Sequence, residues 1–175
     1  MKFQNLKIGT RLAAGFAIIM ILIFFILLFA LDNIRTLSDQ TTRLYKHPFT
    51  VTNAVKSIHA ESIEIREKIY LMIIYADKID SLSRVIDSLD YNIGTEFDIL
   101  KERFLGKMVD VDNVRIAFEA LRQSRDEIVA DLKDGNLEKA RLHIMKRTTA
   151  VSRFDAELND VIRFTKYKGE TFYKE

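Results

Sequence analysis

One stretch decides the fold: residues 51–72 read VTNAVKSIHAESIEIREKIYLM. Within it, apolar or small side chains recur at alternating steps of three and four residues, which places them on one stripe of an α-helix. The stripe extends toward the N-terminus, and its members are Ile34, Leu37, Thr41, Leu44, Pro48, Val51, Val55, Ile58, Ser62, Ile65, Ile69 and Met72. A seam of this length predicts a helical bundle rather than a surface helix on a sheet.

Three further seams with the same spacing follow along the chain. The second consists of Ile79, Leu82, Ile86, Leu89 and Ile93, and it then slips by one position to Phe97, Leu100 and Phe104. The third consists of Val111, Val114, Phe118, Leu121, Ile128 and Leu132 and is interrupted by Arg125. The fourth consists of Leu137, Ala140, Ile144, Val151, Phe154, Leu158, Val161, Thr165 and Phe172 and is interrupted by Arg147 and Lys168. Four seams predict four helices, at about residues 32–75, 78–105, 110–134 and 136–175.

A membrane helix precedes the first seam. Residues 12–31, LAAGFAIIMILIFFILLFAL, carry no charge, and at about 1.5 Å per residue they span the roughly 30 Å of bilayer hydrocarbon. The competing interpretation is a cleaved signal peptide, whose apolar region is shorter and ends in a small-x-small site. Phe29, Ala30 and Leu31 provide no such site.

Because short connections make neighbouring helices antiparallel, we expect an all-α fold in which a transmembrane helix continues into an up-down-up-down four-helix bundle.

The charges before the membrane helix predict its orientation. Lys2, Lys7 and Arg11 are the only charged residues before Asp32, and basic residues of this kind stay in the cytoplasm. We therefore expect a cytoplasmic N-terminus over residues 1–11, a transmembrane helix over residues 12–31 of the cell inner membrane, and a periplasmic or extracellular bundle over residues 32–175.

The composition excludes several classes of function. Apart from Lys2, Lys7 and Arg11, the chain has 24 basic and 25 acidic residues, so this part carries no excess of positive charge to bind nucleic acid. It has no cysteine, which excludes disulfides and thiolate sites. A glycine-rich phosphate loop and a Gly-x-Ser-x-Gly elbow are both missing from the sequence. We expect neither an enzyme nor a cofactor.

Helix lengths predict how the bundle ends. The first and last bundle helices are longer than the middle two, so Glu175 should return to the height of the membrane. Pro48 should cause a kink or break where the bundle narrows to two helices. Ile34, Leu37 and Leu44 lie below that point, where two helices cannot bury an apolar stripe on all sides. A homodimer would cover them.

Three segments resemble a known family. They are NLKIGTRLAAGF at residues 5–16, LYKHPFTVTNAV at residues 44–55 and KDGNLEKA at residues 133–140. The chain is similar over nearly its whole length to the four-helix-bundle sensory, ligand-binding module of methyl-accepting chemotaxis receptors, which also forms the input end of sensor histidine kinases and diguanylate cyclases. The resemblance implies a dimer that binds a small-molecule ligand or a periplasmic binding protein. It also implies signalling by a small displacement of the last helix through a second membrane span. Since the sequence stops before such a span, we expect a fragment of a longer receptor.

The resemblance also suggests where a ligand binds. The best-studied members of the family hold an amino-acid carboxylate with several arginines on the first bundle helix. In this sequence Arg66 occupies that region, and Tyr70 stands one turn later where a second arginine would be needed. Arg66 has a guanidinium fork that suits a carboxylate. The alternative is a solvated ion pair with Glu64, with Glu67 or with the neighbouring subunit.

Two polar residues just after Pro48 are further candidates. Thr52 and Asn53 could line a polar pocket at the predicted kink, and exposure to solvent is the alternative. We therefore predict ligand contacts from Arg66, Tyr70, Thr52 and Asn53.

The histidines do not have the spacing of a metal site. His47, His59 and His143 lack a second ligand one helical turn away, so no metal is expected. A different class of function is a membrane-anchored helical interaction or structural protein without transmembrane signalling. A second apolar span after Glu175, followed by a basic helical adaptor, would favour the receptor over that alternative.

Overall fold

The computed structural model describes residues 7–174, with the side chains of residues 7–172. The predictions that involve Lys2 and Glu175 lie outside the described residues. The helices are α1 (Ile8–Leu44), a π-helical turn (Tyr45–Phe49), α2 (Thr50–Ile74), a 3₁₀ turn (Ala76–Lys78), α3 (Ile79–Arg103), α4 (Met108–Lys133), α5 (Leu137–Lys146) and α6 (Thr148–Lys174). Within the described residues no strand occurs, and the predicted all-α class is confirmed.

The chain divides into two units, Met1–Thr42 and Arg43–Glu175. The first unit contains most of α1, and every side chain from residue 7 to residue 39 is exposed. This helix includes a stretch long and apolar enough to cross a membrane, with none of that stretch buried. Exposed apolar side chains on all faces of one helix suit lipid as their surroundings rather than water.

The second unit is the bundle. Helix α2 packs against α3 and α6, and α4 packs against α3, α5 and α6, which closes a ring in which α5 and α6 together form the fourth column. The four predicted seams form the core: every seam residue from Pro48 to Met72 is buried. The members of the other three seams are also buried, except for Leu82, Leu137, Ile144 and Val151, which are half-buried and pack against the core. Fully burying one Val, Leu or Ile side chain contributes about 1.5–3 kcal/mol, so the seams hold the four columns together.

Of the kink or break predicted before Pro48, the structure rules out the break. The chain stays helical there and passes through the π-helical turn Tyr45–Phe49, with Pro48 buried inside it. Proline lacks the N–H that an α-helix needs and its ring crowds the carbonyl four residues earlier, so a wider turn relieves both problems. Thr50 Oγ1 donates a hydrogen bond to the carbonyl oxygen of Tyr45 at 2.7 Å. His47 Nδ1 lies 3.1 Å from the carbonyl oxygen of Arg103 and caps the end of α3.

The structure also corrects the single fourth helix predicted over residues 136–175. One turn residue, Arg147, separates α5 from α6. Its backbone N–H is shared between the carbonyl oxygens of His143 and Ile144, at 3.1 and 3.3 Å. Such a shared bond tightens the helix locally, at the position where a charged side chain interrupts the fourth seam.

Gly135 joins α4 to α5 with a positive φ of 75°. An alanine at this position would adopt a left-handed conformation that its Cβ disfavours, so Gly135→Ala is expected to lower the free energy of unfolding by about 1 kcal/mol. Gly94 is the matched control, because it lies exposed inside α3 and an added Cβ would meet nothing within 4 Å. Gly94→Ala should raise stability by about 0.5–1 kcal/mol. Urea unfolding of both variants measures these changes. If both substitutions changed the free energy of unfolding in the same direction, the role assigned to Gly135 would be contradicted.

Candidate ligand-binding site

A cavity of about 220 Å³ lies in the bundle between α2 and the junction of α5 with α6. Its apolar lining consists of Ile69, Ile144 and Val151. Its polar lining consists of Arg66, Tyr70, Arg147, Thr148 and Ser152. Because these residues come from both sides of the turn at Arg147, a molecule in the cavity would contact α2, α5 and α6 together.

Arg147 is a buried cation without a counter-charge. Arg147 is only 8% exposed, and its Nε atom is buried with no hydrogen-bond partner among the described residues. Desolvation, followed by the positive charges of Arg66 and Arg125, lowers the pKa of Arg147 to about 10. Arg147 remains charged at neutral pH, so it creates a positive potential inside the cavity.

Arg66 adds a second positive charge to the same cavity. It is half-buried, and it forms no ion pair with any described residue. Glu64, one of the two carboxylates that could have neutralised it, pairs instead with Lys68 at 3.2 Å. Tyr70, one turn later on α2, is 54% exposed and stands at the rim. The structure therefore places Arg66, Tyr70 and Arg147 on the same cavity, and contact of Arg66 and Tyr70 with a ligand stays a prediction.

Arg125 shows the opposite arrangement. Its Nη1 donates a hydrogen bond to Asp90 Oδ1 at 2.8 Å, and its Nη2 bonds to Asp126 Oδ1 at 2.9 Å. Burial alone would lower the pKa of Arg125, but the hydrogen bond and charge of Asp90, followed by those of Asp126, raise it above its ordinary value. A void of about 10 Å³ is lined by both Arg125 and Arg147. Arg147 thus lies between a neutralised arginine and an unneutralised one.

Thr52 and Asn53 lie elsewhere on α2. Thr52 is half-buried and Asn53 is exposed, and neither lines the cavity beside Arg66. At about 1.5 Å per residue they lie roughly 21 Å from Arg66 along the helix axis. Their role in binding stays a prediction.

The residues from the fourth column were not predicted as ligand contacts. Arg147, Thr148 and Ser152 line the cavity, although Arg147 was visible in the sequence as an interruption of the fourth seam. A stronger signal was present: no acidic residue stands three or four positions away from Arg147 on either side. A core arginine without a local carboxylate must find its counter-charge on another helix or on a ligand.

Other features of the described residues form no comparable site. A depression of about 850 Å³ runs along α4, but all its lining residues belong to that one helix, so it does not enclose a ligand. No group of three or more His, Cys, Asp or Glu residues in the described part of the chain could hold a metal ion.

Two glutamates with raised pKa values lie where α2 meets α3. Burial raises the pKa of Glu61, the hydrogen bond with Asn92 partly opposes this, and the charges of Glu96 and Glu64 add to it. Burial also raises the pKa of Glu96. A carboxyl group whose pKa is higher in the folded state costs stability when it ionises. This site therefore destabilises the bundle as the pH rises above the ordinary glutamate pKa of 4.5.

Glu61→Gln is expected to remove that cost. Relative to the unmodified chain, the variant should gain stability at pH 7–8, and the gain should shrink as the pH falls toward 4, since the folded-state carboxyl then becomes protonated. Urea unfolding midpoints of both proteins across this pH range measure the difference. Glu67→Gln, on an exposed residue of the same helix, is the control and should show no comparable trend. A gain from Glu61→Gln that does not vary with pH would contradict the explanation.

Comparison with known proteins adds the family. The model of the family described as "Four helix bundle sensory module for signal transduction" matches residues 5–175. The match therefore includes the apolar helix, all four columns and the cavity. No curated protein and no solved structure matches the chain.

Proposed function

Because the chain belongs to the family of four-helix-bundle sensory modules for signal transduction, we propose that it is the extracytoplasmic input module of a bacterial transmembrane receptor of the chemotaxis type. In this proposal α1 crosses the inner membrane with its N-terminus in the cytoplasm, and the bundle lies in the periplasm. The basic residues Lys7 and Arg11 before the apolar stretch support that orientation. The exposed apolar surface of α1 supports the membrane location.

The proposed ligand site is the cavity beside Arg147. One observation carries this assignment: a buried, unpaired arginine faces a cavity that already holds a second arginine without an ion pair. A buried charge without a partner is costly, and such costs are retained at sites where a ligand supplies the partner. Arg66, Tyr70 and Arg147 would then contact a small molecule directly, which favours direct sensing over docking of a periplasmic binding protein.

The proposed signal is a small displacement of α6. This helix begins next to the cavity at Thr148 and runs without interruption to Lys174, a length of about 40 Å. Near its end it contacts the entry to the bundle: a Cβ added at Gly169 would lie 3.7 Å from Pro48, and the centroid of the Phe172 ring lies 4.7 Å from the Arg43 guanidinium carbon. A shift of about 1–2 Å, the usual scale for helices at interfaces, would therefore reach the far end of the bundle.

We also propose a homodimer. Ile34, Leu37 and Leu44 are 62%, 64% and 37% exposed, and a second copy would cover their apolar surface. Since the chain has no cysteine, Leu37→Cys introduces a single thiol that should crosslink two copies in membranes on mild oxidation. Lys101→Cys, on the exposed face of α3, is the control and should crosslink far less. Equal crosslinking at both positions would argue against this interface.

A receptor chimera tests transmission. The chain would be continued into the second span and kinase-controlling output of an established chemotaxis receptor, and kinase activity would be measured in membranes against a panel of small metabolites. We expect at least one compound to change kinase activity, and Arg147→Met to abolish that response. Arg153→Met, on an exposed position of α6, should leave it intact. A chimera that assembles in the membrane but responds to nothing in a broad panel would overturn the sensory role.

A further inference from the structure

We propose that the cavity beside Arg147 binds a small doubly charged oxyanion that carries no ammonium group, such as a short dicarboxylate or a phosphate. The inference rests on the ligand-sensing function proposed above and names the chemical class of the ligand. It follows from the charges, the hydrogen-bonding groups and the size of the cavity.

The charge of the cavity matches a dianion. Arg66 and Arg147 both line it, and neither forms an ion pair with a described residue. The nearby Arg125 adds no uncompensated positive charge, because Asp90 and Asp126 already neutralise it. Two uncompensated positive charges therefore face the ligand, and two negative charges would complete the site.

The hydrogen-bonding groups also favour an acceptor-rich ligand. The buried Nε of Arg147 has an N–H with no partner among the described residues, and guanidinium groups bind carboxylates and phosphates through paired N–H donors. Ser152 and Tyr70 line the cavity and make no hydrogen bond to another described residue, so their hydroxyls can donate. Thr148 instead donates to the carbonyl oxygen of Met145 at 3.1 Å and can only accept. Most of the polar lining thus presents donors.

The same lining disfavours an amino acid. Among the eight lining residues none is a carboxylate, so no negative side chain is available to hold an α-ammonium group. The two arginines would repel that group, and in a partly desolvated site the repulsion is screened less than in water. An amino acid with an uncharged side chain has no net charge and would leave both arginines incompletely neutralised.

The size of the cavity limits the ligand. A volume of about 220 Å³ is several times the roughly 30 Å³ that one water molecule occupies in the liquid. It is smaller than the typical drug-sized site of about 300–1,000 Å³. A molecule with a few heavy atoms between two anionic groups, or a single phosphate with ordered water, fits this range.

Binding to the purified full chain in mild detergent tests the inference. Succinate and inorganic phosphate are the dianion probes, acetate and aspartate are the comparisons, and potassium chloride at matched ionic strength is the salt control. At a hundredfold excess over Kd a dianion should raise Tm by several degrees, and calorimetry should give a Kd for aspartate at least tenfold weaker than that for the better dianion. A preference for succinate over phosphate identifies a dicarboxylate ligand, and the reverse preference identifies a phosphate.

Variants show whether the binding occurs at this cavity. Arg147→Met and Arg66→Gln should each weaken dianion binding at least tenfold, while Arg153→Met should not change it. The inference is overturned if neither dianion binds, if aspartate binds as tightly as the dianions, or if Arg147→Met binds a dianion normally. Failure here and failure of the proposed function are distinguishable. If the chimera responds only to an uncharged or cationic compound, the sensory role is retained and the dianion is rejected as the ligand. If the chain binds a dianion but the chimera responds to nothing, the dianion site is retained and the sensory role is rejected.

Discussion

Replacing Asp90 with alanine is expected to lower the free energy of unfolding by about 3–5 kcal/mol. Asp90 on α3 accepts a hydrogen bond from Arg125 on α4 at 2.8 Å, and the two side chains are only 10% and 6% exposed. The same carboxylate lies 3.4 Å from Arg122 Nε. Without it Arg125 would remain buried with only the exposed carboxylate of Asp126 as a partner, and an uncompensated buried charge is strongly destabilising. Urea unfolding of the bundle measures the loss.

The neighbouring residues provide the controls for Asp90→Ala. Asp126 also bonds to Arg125, but its side chain is 65% exposed, so Asp126→Ala should cost less than about 1 kcal/mol. Adding Arg125→Met to Asp90→Ala should restore much of the lost stability, because the unpaired charge is then removed. A double variant no more stable than Asp90→Ala alone would show that the loss came from packing rather than from charge.

Replacing Arg147 with methionine is expected to stabilise the ligand-free bundle by about 2 kcal/mol, whereas Asp90→Ala destabilises it. The pKa of Arg147 is lowered from its ordinary value to about 10 by burial and by the charges of Arg66 and Arg125, which corresponds to a cost of roughly 3 kcal/mol for keeping the charge in the folded state. The open side of the cavity reduces that cost. For a chain of this size the expected rise in Tm is about 4–8 °C.

The pH dependence of Arg147→Met provides a check. A folded-state pKa below the unfolded value means that the charged side chain destabilises the fold at every pH below about 10. The stabilisation from Arg147→Met should therefore be constant between pH 5 and 9, unlike that from Glu61→Gln. Arg153→Met should change the free energy of unfolding by less than about 0.5 kcal/mol. A destabilised Arg147→Met would mean that the side chain contributes more through packing of its stem than it costs through its charge.

The two arginines explain why a sensory bundle would tolerate an unfavourable interior. Under the proposed function, a ligand that neutralised Arg147 would stabilise only those arrangements of α2, α5 and α6 in which the cavity is formed, since residues of all three helices line it. Binding energy would thereby be converted into a preference for one helix arrangement. A methionine at the same position would give a more stable bundle without that dependence on the ligand.

Much of the fold followed from local patterns. The seam from Val51 to Met72 and the seams of the other three columns predicted the buried residues, because a 3.6-residue period puts them on one face whatever the partner is. Pro48 predicted a disturbance of the helix but not its form. Whether the chain breaks or widens depends on what packs around it, and here the π-helical turn lies next to Gly169 on α6 and to the end of α3.

The candidate site was predictable only in part. Arg66 and Tyr70 were chosen from their position on the first bundle helix, and the structure places both on one cavity. Arg147 entered the sequence argument only as an interruption, although it is the most buried charge of that cavity. Its importance depends on residues far away in the sequence, and periodicity carries no information about them.

The amino-acid sequence by itself determined four helical columns, a charge-free helix long enough to span a bilayer and the absence of cysteine chemistry, because each of these depends on neighbours within a few turns or on composition alone. Only the tertiary structure decided which core arginine is neutralised. Arg125 meets Asp90 from a different helix, 35 positions earlier, and Arg147 meets no carboxylate in the described part of the chain. Charge compensation acts through space across the bundle, so it becomes visible only when the helices are assembled.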